Sequence, residues 1–381
     1  MFDFLSGFGG GALGYILPFL FVLTVVVFFH ELGHFLVARW CGVKVDAFSV
    51  GFGPELFGWN DRHGTRWRVA AIPLGGYVRF HGDDNAASAP DQEKIAQMSA
   101  GERAVSFHAK PLWQRAAVVA AGPVANFILA IVIFAGIFAI AGEYVRPATV
   151  DTVQEDSAAS RAGIQPGDVI RTINGKTIDS FSDIQRIVSA SAGDTLEIVL
   201  DRGGETITVS AVPDLREIED RFGNKHNIGL LGVSSDADAD NVQHVSYSVP
   251  AAVAKGMRET WFVVERTISF IGGIVTGKDD ASQLGGPIRI AQISGDVAQQ
   301  AGFAALVSLT AILSVSIGLL NLFPVPMLDG GHLLFYGIEA LRGRPLSARA
   351  EDISYRIGLA LVLMLMLFAT WNDITNLNLL G

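Results

Sequence analysis

Four stretches of this chain are long and apolar enough to cross a bilayer as helices, and they constrain the fold more than any other feature. They fall at residues 11–29, 116–142, 303–323 and 357–371, the last needing its flanks to reach the required length. A spanning helix takes roughly 20 apolar residues. Hydrocarbon offers no water to pair with backbone amides, so such stretches close their hydrogen bonds internally as helices. Half of the 381 residues are hydrophobic and 17% are charged, a balance that excludes an ordinary soluble enzyme of this length. The expected fold class is a polytopic α-helical membrane protein of about four transmembrane helices, with a membrane-associated β-loop and an extracytoplasmic α+β domain.

The first stretch has Asp3 and no Lys or Arg before it, which is the wrong flank for a cleaved signal peptide. It is read as a retained helix. Basic residues in short loops mark the cytoplasmic side. Arg39 and Lys44 follow the first stretch, Lys110 and Arg115 precede the second, and Arg342, Arg344, Arg349 and Arg356 lie between the third and fourth. The loops after the first and third helices are therefore expected in the cytoplasm, with both termini and the 143–302 segment outside. The net charge is −10 with no basic tract, so nucleic acid is not an expected partner. The lone Cys41 offers neither an internal disulfide nor a cysteine metal site.

Between the spans, the patterning divides the chain further. Residues 11–42 form the first helix and 116–142 the second. Between them, 43–115 hold a cytoplasmic-side β-loop and linker, with VKVDAFSVGFG and RWRVAAIPLGGYVRF reading as strands and 83–100 as a polar loop. An α+β domain is expected over 143–235, with helices at SAASRAG and FSDIQRIVSAS capped by Ser157 and Ser182. A linker with an amphipathic helix follows at 236–302, placed either on the membrane surface or against a neighbour. The third helix is expected at 303–335, a cytoplasmic loop at 336–354 and the fourth helix at 355–376.

The sharpest local signal is His30-Glu31-Leu32-Gly33-His34. Histidines four apart lie on one helical face, about a turn from each other. That geometry lets two imidazoles hold one zinc, with the intervening Glu able to act as a general base. Zinc makes water acidic near neutral pH, so such a base has a proton to take. These residues continue an apolar stretch, where ionisable side chains cost several kcal/mol unless paired or bound to an ion. A third ligand is needed. Asp329, in Asn321-Leu322-Phe323-Pro324-Val325-Pro326-Met327-Leu328-Asp329-Gly330-Gly331-His332, is the best candidate. It lies at the inner end of the third helix, as the His pair does on the first, and Pro324 and Pro326 break the helix there. His332 is the rival.

These residues carry a resemblance that spans nearly the whole chain. FFHELGHFLVAR, PLGGYVRFHG, AGPVANF, QLGGPIRIAQ and NLFPVPMLDGGH together resemble the site-2 protease family, specifically the bacterial RseP-like intramembrane zinc metalloproteases. The resemblance implies His30, His34 and Asp329 as zinc ligands and Glu31 as the catalytic base. It places Asn126 and Asn321 near the active site, where an amide can bind substrate backbone or an oxyanion. Gly75 and Gly76, in the β-loop, are candidates for substrate contact through strand pairing. The cofactor is Zn²⁺, the partners are single-pass membrane protein substrates and membrane lipid, and the location is a bacterial inner membrane. Substrates of the anti-sigma-factor or signal-peptide-remnant kind are implied, without a choice between them, and oligomeric state is not indicated.

The best-known RseP-like proteins carry two tandem PDZ domains, whereas this chain has room for one. AGIQPGDVIRTINGKTI reads as its helix–strand–turn core. Ile164, Gly229 and Leu230 are candidates for its peptide groove, and a plain β-domain acting as a steric cap is the alternative. Two other functional classes compete with a protease. A membrane scaffold would have no use for Glu31 and the two histidines. A metal transporter would be expected to show repeated halves, and no such repeat is found.

Overall fold

The computed structural model describes residues 11–83, 97–219, 225–235, 242–277 and 280–376, so most of the expected polar loop at 83–100 lies outside the described residues. The chain splits into two units, Met1–Ala135 with Val253–Thr267 and Gly285–Asp373, and Gly136–Ala252 with Ile268–Leu284 and Ile374–Gly381.

The first unit opens with α1 (Leu13–Trp40). A long hairpin follows, β1 (Val45–Asn60) and β2 (Arg66–Phe80). Its register shifts repeatedly, so that Ala47–Val50 of β1 are flanked by Arg66–Val69 and also by Gly76–Arg79. Such bulges bend a ribbon sharply, and the bend returns the last part of β2 to the side of α1. Phe48, Val78 and Phe80 are buried there with Phe35 of α1. Helix α2 (Ala100–Val105) starts in a capping box between Ser99 and Glu102, which satisfies backbone amides at its first turn. Helix α3 (Leu112–Ile140) then crosses the unit, beginning four residues ahead of the expected 116.

The second unit contains β3 (Glu143–Val145), β4 (Thr152–Val153), α4 (Ala158–Arg161), β5 (Val169–Ile173), β6 (Lys176–Thr177), α5 (Phe181–Ser189), β7 (Leu196–Arg202), β8 (Glu205–Ala211), β9 (Asp214–Glu219), β10 (Lys225–Leu230), β11 (Val233–Ser234) and β12 (Gln243–Val245). A four-stranded antiparallel sheet in the order β6-β5-β7-β8 is its centre. Alternate residues of β7 point inward, as do Ile170 and Ile173 of β5 on either side of a register shift, and Ile170, Ile173, Leu196, Ile198 and Leu200 are almost wholly buried with Ile184 of α5. Ser157 caps α4 as expected. The cap of α5 is Ser180 rather than Ser182, because Ser180 and Asp183 form a reciprocal capping box that starts the helix at Phe181. Asp168 is fully buried and accepts hydrogen bonds from Arg202 at 2.7 and 2.8 Å and from the Gln165 amide at 2.8 Å.

The chain continues through α6 (Val249–Thr276), α7 (Pro287–Gln300), α8 (Gly302–Asn321), α9 (Asp329–Arg342) and α10 (Ala348–Asn376). The amphipathic helix is thus present as α6. Its Gly256 meets Ile131 and Ala135 of α3, where an added Cβ would sit 2.9 Å from the Ile131 carbonyl. This stretch of it packs on the helical bundle. The expected single helix at 303–335 is two helices, α8 and α9, separated by the proline-containing turn at 322–328. Most of the expected loop at 336–354 is helical as well, since α9 and α10 extend into it. Among the described residues four helices are long and apolar enough to cross a membrane: Ala12–Trp40, Leu112–Ile140, Gly302–Asn321 and Arg349–Thr375.

Helix α10 packs on the rest of its unit near both of its ends. Gly358 sits against the Pro326 carbonyl. Further along, the Asp373 carboxylate accepts the amides of Gly286, Ile288 and Arg289 at 2.8–3.1 Å, capping α7 where its amides are otherwise unpaired. Between these points Leu363, Met364, Leu365, Met366 and Leu367 are all exposed. An apolar helix bare on all sides is suited to lipid rather than water.

Candidate metal centre

Helix α1 carries His30, Glu31 and His34 on its second half, and α3 passes close behind them. Two glycines permit this approach. A Cβ on Gly33 would lie 2.2 Å from the Ala121 carbonyl, and one on Gly122 would lie 2.3 Å from His34 Nε2. No side chain fits at either place, so the backbone of α1 meets that of α3 at Gly33 and the imidazoles rest on the α3 backbone at Gly122. Asp329 arrives from the other direction at the first turn of α9. The turn before it contains Pro324 and Pro326 and holds Met327 at φ 86. Gly330 and Gly331 then pack their Cα atoms against the carbonyls of Leu322 and Val325. At its far end α9 is held by Arg115 of α3, which pairs with Glu339 at 2.6 Å and stacks over Tyr336.

The three side chains converge. His30 Nε2 lies 3.2 Å from His34 Nε2 and 3.1 Å from Asp329 Oδ2, and His34 Nε2 lies 3.5 Å from Asp329 Oδ1. A tetrahedral site with ligand distances of about 2.0–2.1 Å has edges of about 3.3 Å, so the spacing fits zinc. The protons fit as well. His34 Nδ1 donates to the Val118 carbonyl at 2.8 Å, which leaves a lone pair on Nε2 in the neutral ring. Asp329 Oδ2 is buried and has no hydrogen-bond partner. Unshared lone pairs beside a buried carboxylate are costly without a cation among them. Among the described residues this is the one group of three or more His, Cys, Asp or Glu side chains with metal-ligand spacing.

A cavity of about 300 Å³ opens beside the cluster. Glu31 lines it with His30, His34 and Asp329, and so do Gly75, Gly76, Tyr77, Asn321 and His332. Glu31 packs beside β2. Gly76 brings that strand in, its Cα passing so near that an added Cβ would meet the Ser49 carbonyl at 2.7 Å and Glu31 Cγ at 3.3 Å. His332 faces the cavity but stands outside the three-residue cluster, and Tyr355 Oη lies 3.4 Å from its Nδ1.

Over residues 18–365 the chain matches peptidase family M50. The chain belongs to this family. Its M50 relatives include "Putative zinc metalloprotease Atu1380" of Agrobacterium fabrum, 52% identical with 96% of each chain covered. "Putative zinc metalloprotease mll0638" of Mesorhizobium japonicum is 51% identical over 95% of this chain and 99% of its own length. "Metalloprotease MmpA" of Caulobacter vibrioides is 42% identical with 96% of each covered. A solved PDZ domain of an SdrC-like protein from Listeria monocytogenes matches 23% of this chain and 86% of its own, at 22% identity and a TM-score of 0.18. For an M50 peptidase the donor set here, two imidazoles and a carboxylate beside a free glutamate, is that of a catalytic zinc site.

Two expected roles change. Asn126 does not face the cavity. It is wholly buried on α3 with its amide nitrogen 3.2 Å from His30 Nδ1, so its amide is turned to His30 rather than to the cavity, and the sequence signal for its position is the four-residue step from Gly122 on the same helix face. Ile164, expected in a peptide groove, is 3% exposed within the core of the second unit, because the apolar side chain is drawn under the sheet. Gly229 of β10 rests against Val188 and Ala192 at the end of α5, and Leu230 beside it is half-buried.

Proposed function

We propose that this chain is an intramembrane zinc endopeptidase that hydrolyses peptide bonds within the transmembrane segments of single-pass membrane proteins. The observation that carries this reading is the position of the cluster. His30, Glu31 and His34 belong to a helix of membrane-crossing length, and Asp329 follows another through the turn at 322–328. Zinc held by His30, His34 and Asp329 would supply a Lewis acid that polarises a carbonyl and acidifies water.

The remaining chemistry belongs to the chain. Glu31 takes the proton of the attacking water and delivers it to the leaving amine, and Gly76 of β2, packed close to its Cγ, limits where the side chain can turn. A helical substrate hides its peptide bonds in its own hydrogen-bond ladder and must unwind first. The Gly75–Val78 edge of β2, running along the cavity, would receive the extended segment by strand pairing. Asn321 supplies an amide in the cavity wall. The cavity walls shield the reacting atoms from bulk water, which strengthens each of these interactions.

The setting proposed is a bacterial inner membrane, with the loop holding α9 in the cytoplasm and the second unit on the periplasmic side, where its PDZ-like character would filter or capture substrates. The basic-residue asymmetry supports that orientation. Replacing Glu31 with Gln tests the reaction. Zinc should remain, since Glu31 is not a ligand, while cleavage of a membrane-segment reporter should fall to background. Undiminished cleavage by that variant would remove Glu31 from the mechanism. Membrane fragments that accumulate in cells carrying it would identify the substrates.

A further inference from the structure

The second nitrogen of each zinc-facing imidazole is already occupied. His34 uses Nδ1 on the Val118 carbonyl. His30 turns Nδ1 to the side chain of Asn126, at 3.2 Å from the amide nitrogen. Asn126 is 0% exposed, and its Oδ1 is buried without a hydrogen-bond partner. A neutral imidazole has one N–H and one lone pair. If the amide nitrogen faces Nδ1, it donates there, and the ring proton sits on Nε2, the atom that points at His34 and Asp329. That tautomer cannot ligate a metal. Turning the amide by half a revolution brings Oδ1 to Nδ1. The ring proton then occupies Nδ1, the Nε2 lone pair is released, and the orphaned oxygen gains a donor.

We propose that Asn126 is a positioning residue for the metal centre, whose side-chain oxygen accepts Nδ1–H of His30 and so selects the ring tautomer and orientation that bind zinc. Partners of this kind, on the far nitrogen of a ligating His, raise its basicity and fix its plane. The placement of Asn126 is built into the bundle. Ser314 of α8 donates its hydroxyl to the Asn126 carbonyl at 2.9 Å. Gly318 on the same helix leaves room for the Asn126 side chain, since an added Cβ there would fall 3.0 Å from Asn126 Cβ. Helix α8 leads through the proline turn to Asp329, so Asn126 joins the helix of two ligands to the helix preceding the third.

The inference rests on zinc binding at His30, His34 and Asp329, and the experiment separates the two. Purified full-length wild type, N126L and N126D are loaded with zinc and titrated with a chelator, and metal content is read without any activity assay. Wild type should bind one zinc. N126L, similar in size but without an acceptor, should release zinc at a chelator concentration lower by about 10–100-fold. N126D, which keeps an acceptor oxygen at the same place, should stay near wild type. Wild type without zinc would defeat the metal site itself. Zinc held by N126L as firmly as by wild type would overturn the role of Asn126 alone, as would equal losses in N126L and N126D. If either variant fails to fold, nitrogen-15 spectra of the zinc-loaded wild type decide the matter. The His30 Nδ1 proton should show a through-hydrogen-bond coupling to the Asn126 side-chain carbonyl, and an Nδ1 proton without that coupling would refute the proposal.

Discussion

Replacing Gly122 with Ala tests whether the close approach of α1 and α3 builds the metal centre. The new Cβ would lie 2.3 Å from His34 Nε2, 2.5 Å from His34 Cε1 and 2.9 Å from His30 Cε1. Bringing the first of these to an ordinary carbon–nitrogen contact needs a retreat of about 1 Å. Metal sites tolerate ligand shifts of about 0.2 Å, so a ring that retreats this far no longer ligates. The ring cannot simply turn aside, because Nδ1 is held by the Val118 carbonyl at 2.8 Å. The alternative is for the helices to part, at the cost of about 1–3 kcal/mol usual for an overpacked core. Both routes weaken metal binding, by at least the ~10–100-fold that follows loss of an outer partner. The assay is zinc per protein by mass spectrometry across a chelator series in detergent. Gly136 on the same helix has no atom within 4 Å of an added Cβ, so Gly136→Ala is the matched control and should behave as wild type. A Gly122→Ala protein with full zinc and wild-type chelator resistance would refute the reasoning.

Other outcomes follow from the same structure. Asp329→Ala should empty the site, while His332→Ala, outside the cluster, should keep zinc. The reverse order in metal analysis would reassign the third ligand. In the second unit, the hydrogen bonds from Arg202, and then that from the Gln165 amide, hold the Asp168 carboxyl below its ordinary range. A depressed folded-state pKa contributes stability above the unfolded value of about 3.9, and that stability is lost as pH falls below it. Hydrogen-exchange protection of Val169–Ile173 and Leu196–Arg202, corrected for intrinsic rate, should therefore drop below about pH 4 in wild type. Asp168→Asn should flatten that dependence, and an unchanged pH profile would show that the pair is not coupled to folding. Ile198→Ala, at a fully buried position of the central sheet, should destabilise this unit by about 2–5 kcal/mol and leave zinc content alone. Reporter fusions at Gly343 and Gly203 should report the cytoplasm and the outside respectively, and opposite labelling would invert the proposed topology.

Much of this protein is legible in the linear chain because the relevant physics is local or periodic. The four stretches long and apolar enough to cross a bilayer are all helical, and the step from His30 to His34 puts two imidazoles on one face whatever surrounds them. Asp329 could be named as the best third ligand because Pro324 and Pro326 mark a broken helix where polar backbone needs a purpose. The strands of the 43–82 hairpin, and β5, β7 and β8, were readable for the same reason. Contacts between distant segments were not. The preference for Asp329 over His332 is a matter of where α9 begins relative to α1, and three residues along a helix turn one side chain to the cluster and the other to the cavity. Ile164 sits in a sequence pattern compatible with a groove, yet burial beneath the sheet claims its apolar side chain. Asn126 has the same composition whether it meets substrate or His30. Only the packing of Gly122 and Gly33 between α1 and α3, with Ser314 and Gly318 of α8 behind it, turns that amide inward onto the zinc-facing histidine.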